Sequence, residues 1–493
     1  MTEEMRDFCL EEATIADVHA AMLQGKLTCR NLVEMYLKRI EAYDQQGPRL
    51  NSIITINPAA LEIADKLDQA FQKSGFTGSL HGIPVLLKDN VDTSDMPTTA
   101  GSLSLEGFMP EDDAFITKKI IDAGAIILAK VNLHEFAIWG ETASSLLGQT
   151  LNPYDLTRTP GGSSGGTGAA LAANFGMVGI GTDTINSVRS PASACSLVGF
   201  RPTLGLVSRD GIIPYSLTQD TAGPLARTVA DTVKLLDAIA GYDSADEATA
   251  WCVGHVPETY TAFLNKGGIK GKRIGVLRSF FGKGAEHQEV NASVNRSIGI
   301  MQELGAAVVD IDETIDSNYL VSEVSVHLYD FKDHLNMYLE SSKTQISSLA
   351  DVIASGKYHA GIEENIKKAQ TLSTKSPEYQ GRLIARMNLQ TKVMKLMADK
   401  NLDALVYPHQ KRLVVPIGEV QIERNGVLGA VAGFPSLVVQ SGFSKPTDSV
   451  PEGVPIGLEI LGRPWSEPTL IEIGYAFEQA TKFRRPPVTT PAL

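Results

Sequence analysis

Two serines, Ser163 and Ser187, stand in or beside small-residue turns in the stretch "TPGGSSGGTGAALAANFGMVGIGTDTINSVRSPAS", residues 159–193. No histidine lies between them. A serine hydroxyl holds its proton at neutral pH, so it becomes a nucleophile only beside a base. Lys88 is a candidate base. It closes the apolar run of "GIPVLLKDN". A free lysine has a pKa of about 10.4 and is protonated at pH 7. Burial disfavours the ammonium and can lower that value by up to about 3–5 units. A shift of about three units corresponds to roughly 4 kcal/mol. The end of a strand buried on both faces could supply it. Taken alone, Lys88 reads rather as an exposed strand-end lysine.

Other chemistries fit less well. "GGSSG" satisfies G-x-S-x-G at Ser163, and "GSSGG" does so at Ser164. That nucleophile elbow needs a strand before it and a helix after. The segment before, "LGQTLNPYDLTRTP", is polar and holds two prolines, although the segment after suits a helix. A phosphate loop would need a closing Gly-Lys-Ser/Thr, and "HEFAI" at His134 is not H-E-x-x-H. Cys9, Cys29, Cys195 and Cys252 are scattered without a C-x-x-C pair, which argues against a thiolate zinc site or a disulfide framework. No metal-ligand set is expected.

Charge narrows the partners. Lys+Arg 44 against Asp+Glu 57 gives a net charge of −13. An acidic chain without a basic stripe is a poor nucleic-acid binder. The scarcity of positive charge also implies no preference for strongly anionic substrates. The start, "MTEEMRDF", carries no apolar core of a signal peptide, and no apolar run is long enough to span a bilayer. The expectation is a cytoplasmic protein with no membrane partner. A homodimer is left open.

The elements that must position these residues alternate. Two helices are expected in "TIADVHAAMLQGKLTCRNLVEMYLKRIEAYDQQG", capped by Thr14 and Thr28, and a third begins at Pro58 and stops at Gly75. "GIPVLLKDN", "GAIILAKV", "MVGIGTDT", "RIGVLR", "AAVVDI", "DALVYP", "SLVVQSGF" and "IGLEILGR" read as strands, with helical patterns between most of them. This predicts an α/β fold with helices covering a largely parallel or mixed sheet. Residues 240–400 are more helical and more polar.

"HGIPVLLKDN", "GGSSGG", "GTDT" and "S-x-R-x-PA" together resemble the amidase signature family of serine amidohydrolases. So do "MPTTAGS", "GAIILAKVNLHEFA", "GQTLNPYD", "VGFRPTLGLVSRDGIIP", "AGFPSLVVQSGF" and "PIGLEILGRPWSE". The likeness covers roughly residues 28–235 and 400–485, and it is nearest to the peptide-amidase-like branch. It implies one amidase domain over residues 1–493. Within it lie N-terminal helices (1–75), a catalytic core (76–235 and 400–485) and a helical region (240–400) that shapes the substrate pocket. The implied sheet is large, twisted and mixed, with helices on both faces.

The resemblance also implies roles. Ser187 is the nucleophile, Ser163 a relay that follows a cis peptide at Gly162, and Lys88 the base. The reaction passes through an acyl-enzyme and takes no cofactor. Backbone N–H groups of Thr184, Ile185, Asn186 and Ser187 form the oxyanion hole. The family usually has glycine where this chain has Ile185 and Asn186. Isoleucine tolerates positive φ poorly, so Ile185 is expected at negative φ, with Asn186 the residue that could adopt the left-handed region. Ser164 and Thr167 read as residues at the start of a helix. Asp183 and Arg189 read as a pair that fixes the loop, and Asp89 as a hydrogen-bonding residue at a strand end. The substrate would be a carboxylic amide, an anilide or a carbamate, with water as co-substrate. Two alternatives stand beside this reading: the glutamine-hydrolysing component of a tRNA-dependent amidotransferase, and a non-catalytic binding protein on the same fold.

Overall fold

The computed structural model describes residues 8–493. Its strands, in chain order, are β1 (Ile53–Ile56), β2 (Pro84–Lys88), β3 (Ile126–Val131), β4 (Ala143–Ser144), β5 (Gly148–Gln149), β6 (Val178–Asp183), β7 (Val198–Arg201), β8 (Thr221–Ala226), β9 (Arg273–Leu277), β10 (Ala307–Ile311), β11 (Ala404–Pro408), β12 (Ser436–Phe443) and β13 (Pro455–Leu461). Among the described residues, eleven of them form one sheet in the order β1-β3-β2-β6-β8-β7-β12-β13-β11-β9-β10, and β4 and β5 pair separately. β2 runs parallel to both β3 and β6, whereas β6, β8, β7, β12, β13 and β11 follow one another antiparallel. The result is a mixed α/β sheet flanked by helices.

Each strand expected from the sequence is present. Three strands of the large sheet were not foreseen. β1 lies in the segment expected to be helical. β7 and β8 ("VGFR" and "TAGPLA") carry glycine and proline that mask a strand pattern. Pro224 is tolerated in β8 because β7 pairs only with Leu225 and Ala226. It therefore lies beyond the end of that ladder, and its missing N–H costs no rung there. The sheet also takes β9 and β10 from the helical middle region. The first two helices carry the expected caps, with Thr14 and Thr28 each accepting from a first-turn N–H. The third starts at Ala60, two residues past Pro58, and ends at Gly75.

The helix Gly165–Ala172 is buried along its whole length. Its start is made of small residues because other backbone crowds it. A methyl on Gly166 would stand 2.2 Å from the Asn132 carbonyl oxygen. Gly161 has a φ of +71°, which glycine alone adopts without strain. We expect Gly166→Ala to destabilise the protein by about 1–3 kcal/mol through overpacking, read as a lower midpoint in urea.

Candidate active site

Lys88 is the last residue of β2, a strand buried along its whole length. Its side chain is fully buried. Its Nζ lies 2.7 Å from Ser163 Oγ, 2.8 Å from Thr182 Oγ1 and 3.5 Å from the Thr182 carbonyl oxygen. Burial pushes its pKa down to about 7, against the opposing pull of the Asp183 and Asp220 carboxylates. At that value the amine and the ammonium coexist at neutral pH.

Ser163 is fully buried and follows a cis peptide bond from Gly162. Its carbonyl accepts from the His134 N–H at 2.9 Å. Ser164 precedes the helix Gly165–Ala172 and ties it to the sheet. Its hydroxyl donates to the Thr182 carbonyl and accepts from the Thr182 N–H, both at 3.3 Å. Thr167 does the same one turn on, donating to the Ile180 carbonyl at 3.2 Å. These two contacts fix the serine turn against β6, the strand that leads to Ser187.

Ser187 sits four residues past the end of β6, in the turn before the helix Arg189–Ala194. Its carbonyl accepts from the Ser164 N–H at 3.3 Å, which joins the two serine turns. Among the described residues no hydrogen bond links the two hydroxyls directly. Ser187 lines a cavity of about 510 Å³, together with Thr184, Ile185 and Asn186. Neither Ile185 nor Asn186 has positive φ, so the left-handed conformation considered for Asn186 is not used.

The hydrogen bonding of this turn is one-sided. Thr184 O accepts from Gln219 Nε2 at 3.1 Å, and Ile185 O from Arg189 Nη2 at 2.9 Å. Asn186 O accepts from the Ser190 N–H at 2.7 Å, and Ser187 O from Ser164 as above. Every carbonyl from 184 to 187 is thus occupied. The four N–H groups of the same residues find no acceptor among the described residues. Donors left open beside a cavity are suited to an oxygen that gains negative charge.

A buried charge frame holds the turn. Asp183 Oδ1 accepts from Arg189 Nη2 at 3.0 Å and from Arg201 Nη1 at 2.9 Å, while Oδ2 accepts from Arg189 Nε and the Val188 N–H, both at 3.0 Å. Arg189 Nη1 reaches Glu459 Oε1 and the Gly426 carbonyl. Two cations face two carboxylates, all fully buried. Desolvation would raise the Asp183 pKa, but the two guanidinium groups outweigh it and hold the carboxyl well below the usual range. Removing one member would leave an unpaired buried charge, which is strongly destabilising.

The Asp183–Arg189 pair was legible in the sequence, whereas Arg201 and Glu459 were not, because they arrive from β7 and β13. Thr182 was also missed as a partner of Lys88. Asp89 turns away from the lysine and instead accepts from the Thr99 and Gly101 N–H groups at 3.2 and 3.3 Å. Residues of the middle region, among them Val321, His327 and Arg382, line the far wall of the cavity.

Comparison with known proteins identifies the family of the chain. The amidase family profile matches residues 31–471. The native peptide amidase of Stenotrophomonas maltophilia superposes with a TM-score of 0.88 at 39% identity, covering 98% of this chain and 99% of that one. A probable amidase of Arabidopsis thaliana is 37% identical over 97% of this chain and 92% of its own length. The A component of the glutamyl-tRNA(Gln) amidotransferase from Thermoanaerobacter pseudethanolicus is 32% identical over 97% of this chain and 98% of its own. A match of this extent places the chain in the amidase signature family, whose members hydrolyse amides.

Proposed function

We propose that this protein hydrolyses carboxylic amides through an acyl-enzyme on Ser187. The observation that carries the reading is a buried lysine in hydrogen-bond contact with Ser163, its pKa pushed down to about 7. In the amine form, Lys88 turns two N–H groups to Thr182 Oγ1 and the Thr182 carbonyl. Its lone pair is then left facing Ser163, whose hydroxyl donates to it. As Ser187 Oγ attacks the carbonyl carbon, its proton passes to Ser163 Oγ and the Ser163 proton passes to Lys88 Nζ. The oxyanion is held by N–H groups of the 184–187 turn. When the tetrahedral adduct collapses, the C–N bond breaks and the nitrogen takes a proton back along the same path. Water then attacks the ester carbon, and the relay runs once more to free the acid and regenerate Ser187.

The two hydroxyls must come into contact for this transfer. Catalytic hydrogen bonds commonly tighten only when the site is filled. The substrate is a small amide, anilide or carbamate. The likeness to peptide amidases makes a peptide amide the first to test. A serine-directed fluorophosphonate is expected to modify Ser187, identified by peptide mass mapping. Modification elsewhere, with Ser187 untouched, overturns the assignment.

A second reading draws on the amidotransferase relatives, which match nearly the full chain. Glutamine hydrolysis that appears only with a co-purifying partner would favour it. Failure of every serine reagent to modify the purified chain would favour a non-catalytic protein.

A further inference from the structure

The net charge of −13 hides a local reversal. Three cations, Arg382, Lys368 and Arg424, line the cavity that holds Ser187, against two carboxylates, Glu323 and Glu423. Both carboxylates are engaged. Glu423 accepts from Arg412 Nε at 2.9 Å and lies 3.1 Å from His287 Nε2, while Glu323 lies 3.7 Å from Arg382 Nη2. Arg382 is further tied to the Ser325 carbonyl at 3.0 Å. Lys368 and Arg424 have no hydrogen-bond acceptor and no ion pair among the described residues.

Arg424 is the better placed of the two. Its guanidinium lies over the Trp139 ring, 5.7 Å from the centroid. A methyl on Gly140 would stand 3.1 Å from Arg424 Nη1 and 3.7 Å from the Gly162 carbonyl oxygen. Gly140 is thus close both to the guanidinium and to the Gly162 carbonyl, in the turn that carries Ser163. Glu141 is the carboxylate whose charge acts on it, but its oxygens already accept from the Gly140 and Gln421 N–H groups at 3.0 and 2.9 Å. The convergence shows at His327, also in the cavity wall. Its pKa is lowered to about 3, by burial first and then by the charges of Arg424, Arg382 and Lys368.

A guanidinium left without acceptors beside a reaction centre matches a planar anion, which it can grip with two N–H groups. We propose that Arg424 is a specificity residue that binds a carboxylate on the acyl part of the substrate, a few bonds from the scissile carbonyl. The preferred substrate is then an acidic amide, in contrast to what the net charge implied. This rests on the amidase reading above.

The test compares N-acetyl-glutamic acid α-amide with its γ-methyl ester, which differ in one charge. Wild-type enzyme is expected to favour the acid at least about tenfold in kcat/KM. Arg424→Met should lower that value about 50-fold for the acid and less than about fivefold for the ester, and Arg424→Lys should restore part of the preference. Equal treatment of acid and ester by the wild type overturns the proposal. So does an equal loss for both in Arg424→Met, or loss of fluorophosphonate labelling in that variant, which would make Arg424 a support of the serine turn. Calorimetric binding of the acid and the ester to Ser187→Ala reads the anion site without turnover. Tighter binding of the acid supports it and equal binding overturns it. Turnover that persists in Ser187→Ala sinks the serine mechanism and leaves the charge preference readable.

Discussion

Ser187→Ala is expected to lower amide turnover by at least about 10⁴-fold and to abolish fluorophosphonate labelling. Without Ser187 Oγ no atom remains to carry the acyl group, so the covalent route is lost. Residual rate would come from the open N–H groups of the 184–187 turn acting on attack by water. The fold should survive the change. Ser187 Oγ makes no hydrogen bond among the described residues, and its loss leaves no buried partner without a donor. The measurement is kcat on a peptide amide, together with the melting temperature. An active Ser187→Ala would remove the covalent mechanism outright.

Lys88→Met is expected to be nearly as damaging, and the pH dependence makes it diagnostic. The catalytic form of Lys88 is the neutral amine. Its pKa lies near 7, so activity in the wild type should rise with pH through a midpoint near 7 and level off above it. In Lys88→Met that rise should vanish along with most of kcat. Stability should move the other way. The folded pKa is lowered from 10.5 to about 7, so between these values the unfolded chain binds a proton that the folded chain does not. Folding stability therefore increases with pH across that window. Below pH 7 the full cost of burying an ammonium is present, roughly 5 kcal/mol. Methionine carries no such cost. At pH 6, Lys88→Met should be more stable than the wild type by a few kcal/mol in urea unfolding, and the difference should shrink toward pH 10.5.

Local pattern carried much of this account and long-range placement carried the rest. The run "PVLL" before Lys88 is apolar without alternation, which marks a strand covered on both faces, and β2 is buried throughout. The small residues of "GGSSGG" marked a turn leading into a helix, and in the folded chain Gly166 of that helix meets the Asn132 carbonyl. In contrast, Arg201 and Glu459 complete the charge frame from strands distant in sequence, and neither has a neighbour that marks it. Arg424 lies in "QIERNGVLG", where it reads as one solvated charge beside another. Only the folded chain shows that Glu423 is taken by Arg412 and His287 while Arg424 is left facing the cavity. The carbonyls of the 184–187 turn are likewise occupied by Gln219, Arg189, Ser190 and Ser164, a division between two faces of one turn that no residue pattern encodes.

A single titration bears on the base most directly. Lysine labelled with ¹⁵N at Nζ, assigned at position 88 by its absence from Lys88→Arg, can be followed by NMR as pH is raised. A midpoint near pH 7 is the expected result and supports a neutral amine facing Ser163. An ammonium signal that persists beyond pH 9 would contradict it, since no proton could then be drawn from the serine pair at physiological pH.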